Sequence, residues 1–241
     1  MKLIKLLFCV LLVNFFFINP VIAGEVLATP TKYVTSMKKF ELCTSSACTT
    51  TTLLGEKNQD FDIASATAGA DVGSYISSFA LEVGTTYTHV RATIGTTFTV
   101  AGYITDDNTN GISQDYCVTV ASPSTASSHT SPAIQAGSNS TTTADMSWTV
   151  PNRLDADNGS FYGDLDASFT TNGITKTNGA SPFTWIGALS SSYTPRASSA
   201  PKITISFDVT NQLAAAGVNV SGNWQCGIYV MPPTVSVSVT D

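Results

Sequence analysis

Hydrophobic and polar residues alternate with a period of two through much of the chain. Across residues 32–43, Tyr33, Thr35, Met37 and Lys39 interleave with Val34, Ser36, Lys38 and Phe40, which predicts a strand because successive β side chains point to opposite faces. Residues 86–94 repeat the pattern more cleanly, with Thr88, Val90, Ala92 and Ile94 on one face and Tyr87, His89, Arg91 and Thr93 on the other. Phe98, Val100 and Gly102 carry it on beyond a turn at Gly95. Further strands are predicted over residues 116–121, 146–150, 161–170 and 184–189, through Ile203, Ile205, Phe207 and Val209, and through Val235, Val237 and Val239. Short strands punctuated by Gly, Asn, Asp and Ser turns predict an all-β fold, an antiparallel β-sandwich of jelly-roll or Greek-key type with very little helix. Two short helices are the expected exceptions, over residues 65–78 and over 211–216, where Thr210 or Asn211 would supply the cap.

The first 23 residues follow a different rule. Lys2 and Lys5 precede an apolar run from Leu6 to Ile18, Pro20 breaks it, and Val21-Ile22-Ala23 offers a small-x-small cleavage site. This pattern predicts a signal peptide over 1–23, removed after Ala23; the run is short for a membrane span, and no second run of membrane length follows. The expected mature chain is exported through the inner membrane, without a transmembrane segment, to the periplasm, the cell surface or the medium. Losing Lys2 and Lys5 leaves 9 basic and 17 acidic residues, a net charge of −8.

Export decides how the cysteines are read. Without Cys9 an even set remains, Cys43, Cys48, Cys117 and Cys226, and an oxidising compartment favours disulfides over metal ligation. Of the three connectivities, a local Cys43–Cys48 loop with a long-range Cys117–Cys226 bridge is the one expected. Residues 122–145 hold 12 Ser or Thr among 24 positions and few large apolar groups. They read as a surface excursion from a single domain over 24–241, or as a linker between two small β domains, 24–121 and 146–241.

Composition narrows the function classes. Charged residues make up 12% of the chain, against about 25% in an average soluble protein. There is no basic stripe for nucleic acid, and no heptad pattern for a coiled coil. No Gly-x-Ser-x-Gly elbow, phosphate-binding glycine loop or dinucleotide fingerprint is present, and with only two histidines no catalytic constellation can be assembled. An enzyme is therefore not expected. His89 and Arg91, on the face of Tyr87, are either an anion or sugar-acid contact or the polar face of a half-buried strand. Trp148, Trp185 and Trp224 are either a carbohydrate platform or core residues.

Two acidic turns have calcium-loop character, since side-chain oxygens at alternate positions can wrap a hard cation. Asp106, Asn108 and Asn110 precede Gly111, but the twelfth position is Cys117 where a bidentate Glu would stand, leaving Asp115 as a substitute. Asp155 and Asp157 begin the second turn, with Gly159 where a ligand should be. Asn-Gly also explains the first turn as an ordinary hairpin. Calcium is the one cofactor considered.

Phe40-Glu-Leu-Cys43, Asp62-Ile-Ala and Leu81-Glu-Val-Gly84-Thr-Thr-Tyr87-Thr-His-Val-Arg91-Ala-Thr-Ile94 resemble the prealbumin-like sandwich modules of bacterial surface proteins, over residues 32–105. The resemblance implies an extracellular binding or structural module and carries over no catalytic residues. The expected function is a secreted, noncatalytic protein of the bacterial envelope: a self-assembling, fibre- or pilus-like subunit or an adhesive surface protein. Its partners would be further copies of itself or surface glycans. The alternative is a soluble carbohydrate- or calcium-dependent binding module. The candidate assembly element is Thr234–Thr240, an alternating strand lacking Lys and Pro. It either pairs inside its own sandwich or leaves Val235, Val237 and Val239 on an edge open to a neighbour.

Overall fold

A strand with one apolar face is stable only when that face meets a second layer. The computed structural model describes residues 26–65, 80–105, 114–122, 124–125, 133–135, 137–150, 169–198, 200–220 and 223–241. The first six strands are β1 (Val26–Ala28), β2 (Lys32–Cys43), β3 (Thr51–Asp62), β4 (Tyr87–Ile94), β5 (Thr97–Ala101) and β6 (Tyr103–Thr105). The next five are β7 (Tyr116–Val118), β8 (Ser124–Thr125), β9 (Ala133–Gln135), β10 (Gly137–Ser138) and β11 (Met146–Thr149). The last six are β12 (Ile174–Thr175), β13 (Phe183–Tyr193), β14 (Lys202–Asp208), β15 (Leu213–Val220), β16 (Asn223–Val230) and β17 (Thr234–Thr240). The all-β, sandwich-like class is as expected.

The largest sheet has nine strands in the order β11-β5-β2-β4-β13-β17-β14, with β3 added to β2 and β12 to β13. A five-stranded sheet, β1-β15-β16-β9-β8, and a three-stranded one, β10-β7-β6, complete the fold. Tyr33, Phe40, Leu42, Val90 and Val100 of the large sheet share one buried cluster with Leu213, Ile228 and Val230 of the five-stranded sheet. The Cys117–Cys226 disulfide ties the three-stranded sheet to the five-stranded one, and Cys43–Cys48 closes the loop after β2. The large sheet holds strands from both halves of the chain, so a boundary between 121 and 146 would cut the β4–β13 and β5–β11 pairings.

β2 changes faces midway. A register shift between Met37 and Lys39 inserts one residue opposite β4, where Gly95 N–H donates to the Ser36 carbonyl at 2.8 Å. Such a bulge bends a strand and resets its alternation. Tyr33, Thr35 and Met37 point inward before it and Phe40 after it, while Lys39 and Glu41 take the opposite face and form an ion pair at 3.1 Å.

Four expectations need correction. Residues 211–216 are not helical: Asn211 turns the chain at φ 59° and Leu213 starts β15. Ala214, Ala215 and Ala216 have good helix propensity, but they are buried between β1 and β16, and packing between two strands overrides propensity. Residues 169–171 are helical where the sequence predicts the end of a strand over 161–170, and the rest of that stretch lies outside the described residues. The Ser/Thr-rich stretch is more than a surface excursion, since β9 pairs with β16 and Gln135 is buried. Finally, the sandwich is not wholly antiparallel, nor is the last strand an open edge. β17 pairs with β14 along its whole length, and it meets β13 in parallel at Leu189 and Val237. Val237 and Val239 are core residues, Val235 packs against that core, and β17 lies between β13 and β14 rather than at the end of the sheet. The predicted helix over 65–78 and the signal peptide over 1–23 lie outside the described residues, apart from Ser65. Among the described residues no helix is long and apolar enough to cross a membrane.

Candidate functional site

The inward face of the large sheet does not close fully on the layer opposite. Between it, the β14–β17 pair and the segment 229–235 lies a cavity of about 740 Å³. That is within the size range of small-molecule sites, roughly 300–1,000 Å³. The alternation of β2 aims Tyr33, Thr35 and Met37 into it; β4 contributes Ala92 and Ile94, and β13 contributes Phe183 and Trp185. Ile205, Phe207 and Val235 close it from the far side. Among the described residues no charged side chain lines the cavity.

Its base is aromatic. Phe98 lies edge-on to Tyr33 at 5.6 Å between ring centroids, and tilted to Trp148 at 6.2 Å and Phe183 at 6.3 Å. Such contacts hold the rings beyond the effect of their burial alone. Trp185 is only half-buried, and its indole lies along the strand over Gly187. A Cβ at Gly187 would sit 2.3 Å from Cη2 and Cζ2 of that ring, so the missing side chain is what lets the indole lie flat. At the rim, Gly173 has φ +69° and stands so close to β13 that a Cβ would come within 2.2 Å of the Ile186 carbonyl oxygen. The Ile186 N–H donates to the Gly173 carbonyl at 2.9 Å, docking the 169–171 turn onto the sheet.

Two hydroxyls on β2 reach this region and differ in one respect. Tyr33 is 1% exposed, and its hydroxyl donates to the Met231 carbonyl at 3.1 Å; burial pushes the phenol well above its ordinary range, so it stays a neutral donor. Thr35, two residues on and on the same face, is 6% exposed, and its Oγ1 has no hydrogen-bond partner among the described residues.

The other candidates fall elsewhere. Arg91 is already paired: its Nε donates to Glu41 Oε2 at 2.8 Å and its Nη1 to the Cys48 carbonyl at 3.3 Å. Lys39 and Thr51 complete the shell around Glu41, which is 3% exposed. Burial pushes the Glu41 carboxyl up, but the Arg91 and Lys39 hydrogen bonds outweigh it and hold the group below its ordinary value. Arg91 and Lys39 share the single Glu41 carboxylate, so the Arg91 fork is already engaged within this cluster. His89 shares a 2.8 Å hydrogen bond with Thr88, and Tyr87 is buried with its hydroxyl on Thr52, so it is no stacking platform.

The tryptophans separate. Trp148 and Trp185 line the cavity, whereas Trp224 is 48% exposed at the start of β16. Of the calcium candidates, Asp106, Asn108, Asn110, Asp155 and Asp157 lie outside the described residues, and Asp115 is exposed. No group of three or more His, Cys, Asp or Glu placed to hold a metal ion occurs among the described residues. Sequence reasoning passed over Thr35; the signal available was a hydroxyl between Tyr33 and Met37 on one face of the strand. No family model, curated protein or solved structure matches the chain.

Proposed function

We propose that this chain is an exported, noncatalytic protein of the bacterial envelope that works by binding, holding a small apolar molecule inside its β-sandwich. The observation that carries the reading is the aromatic-lined cavity of about 740 Å³, whose described lining residues are all uncharged. Apolar walls around a space of this size favour a guest of matching polarity, which removes their surface from water. The two disulfides fit an oxidising compartment, and the low charge of the chain suits a structural or binding role. Apolar walls favour a hydrophobic guest over a free sugar, which would bring many hydroxyls to a surface with few partners for them.

The test is to titrate the oxidised mature chain with the neutral probe N-phenyl-1-naphthylamine, and to analyse organic extracts of protein purified from its native envelope by mass spectrometry. Saturable binding at one probe per chain, with a single enriched apolar compound in the extract, is the expected result. No saturation and no extracted compound would refute the reading.

A second reading, self-assembly, now rests on β14. It has no further strand on its outer edge among the described residues, and Ile203, Ile205 and Phe207 are all half-buried on it. An edge with only Lys202 and Asp208 as terminal charges is weakly guarded against strand addition. Negative-stain electron microscopy of the oxidised mature chain separates the readings, because filaments would favour assembly and dispersed monomers would favour binding.

A further inference from the structure

We infer that the cavity takes an uncharged, largely apolar molecule carrying one hydrogen-bonding oxygen, and that Thr35 receives that oxygen. The inference rests on reading the cavity as a ligand site. Thr35 Oγ1 is buried, lines the cavity and is unpartnered among the described residues. A buried hydroxyl without a partner is costly, and the protein could relieve it at this strand position with the isosteric, equally β-branched valine. Tyr33 already donates its hydroxyl to the Met231 carbonyl and can only accept from a ligand, whereas Thr35 can donate or accept. No charged side chain among the described residues lines the cavity, so an uncharged guest suits these walls better than an ionised head group, whose desolvation they would not offset. The ligand's apolar body would lie against Phe98, Phe183 and Trp185, and its single alcohol or carbonyl oxygen would reach β2.

The test uses two probes of nearly equal shape, 1-naphthalenemethanol and 1-ethylnaphthalene, titrated by calorimetry into the oxidised mature chain and into Thr35→Val. In the original protein the alcohol should bind more tightly. Thr35→Val should weaken the alcohol by about fivefold, the worth of one net hydrogen bond, and leave the hydrocarbon unchanged. The empty variant should also melt at a higher temperature, since it loses an unsatisfied hydroxyl. If both probes bind equally to both proteins, the Thr35 assignment is wrong while the cavity remains a ligand site. If neither binds, the cavity reading fails and this inference fails with it. A lower melting temperature for Thr35→Val would show that the hydroxyl is already satisfied, which also overturns the assignment.

Discussion

The two disulfides have the same chemistry and sit in equally buried surroundings, yet they should differ greatly in what they contribute. Cys117–Cys226 joins residues 109 positions apart, and Cys43–Cys48 residues 5 apart. If a disulfide acts by restricting the unfolded chain, loop length sets its value: about 4.8 kcal/mol for the long bridge and about 2.1 kcal/mol for the short one. All four cysteines are 3% exposed or less, so replacing either pair by alanine loses similar packing. The difference between the double variants should therefore isolate the loop effect, about 2.7 kcal/mol. The total stability of a domain is about 5–15 kcal/mol, so the long bridge alone accounts for a large share. Urea titrations without reductant, comparing Cys117→Ala/Cys226→Ala with Cys43→Ala/Cys48→Ala, give the answer. The first variant should show the lower midpoint and a steeper slope, because its denatured state becomes less compact. Equal losses, or a larger loss for the short loop, would refute loop closure as the source and place the stabilisation in native contacts.

Three further outcomes are expected. Arg91→Met leaves the buried Glu41 carboxylate with Lys39 and Thr51 as partners and should cost about 2 kcal/mol in urea unfolding, the worth of a hydrogen bond to a charged group; because Glu41 has a lower pKa folded than unfolded, the cluster's stabilisation is present above about pH 4.3 and lost as pH falls through the folded value, a decline that Glu41→Gln should remove from the melting profile. Gly187→Ala must displace the Trp185 indole, so near-ultraviolet circular dichroism and tryptophan emission should change with little loss of stability, and unchanged spectra would contradict the close fit. Deleting residues 234–241 removes the strand joining β13 to β14, along with the 2.7 Å hydrogen bond from the Tyr193 hydroxyl to Asp241, and should abolish cooperative folding; a folded monomer would show that β17 is dispensable.

Period-two alternation made most of the large sheet legible. Residues 32–43 carry the same bounds in sequence and structure, as nearly do the strands through Val90, Ile205 and Val237. The failures have local causes. β3 was missed because Glu56-Lys57-Asn58-Gln59-Asp60 is a polar run with little inward demand, which suits a strand at the sheet edge. β15 was missed because residues 213–216 are buried on both faces and show no alternation, so that Ala214–Ala216 reads locally as helix; β16 was missed although Trp224, Cys226, Ile228 and Val230 alternate with Gln225, Gly227 and Tyr229. In β2 the strand was visible but the bulge was not, so Lys39 was grouped with the inward residues although Phe40 takes that face. One extra residue in a strand changes no propensity, yet it reverses every side chain beyond it.

The cavity was illegible for a related reason. Its lining consists of inward residues from several strands, and each of them reads individually as ordinary core. Trp148, Phe98 and Phe183 would be chosen for a packed interior as readily as for a pocket, and only the separation between layers distinguishes the two. The residues that meet there come from distant parts of the chain, from β2 and β4 to β13 and the segment 229–235, so only the tertiary fold brings them together. Charge and hydrogen-bonding motifs mark catalytic or metal sites in sequence because their residues are costly to bury without purpose. An apolar site has no such mark except a polar atom out of place, and Thr35 Oγ1 is that atom here. A threonine that could be valine without loss of shape or strand preference is therefore the most informative residue in the wall, and replacing it tests the function more directly than removing any aromatic ring, which would collapse the wall along with the site.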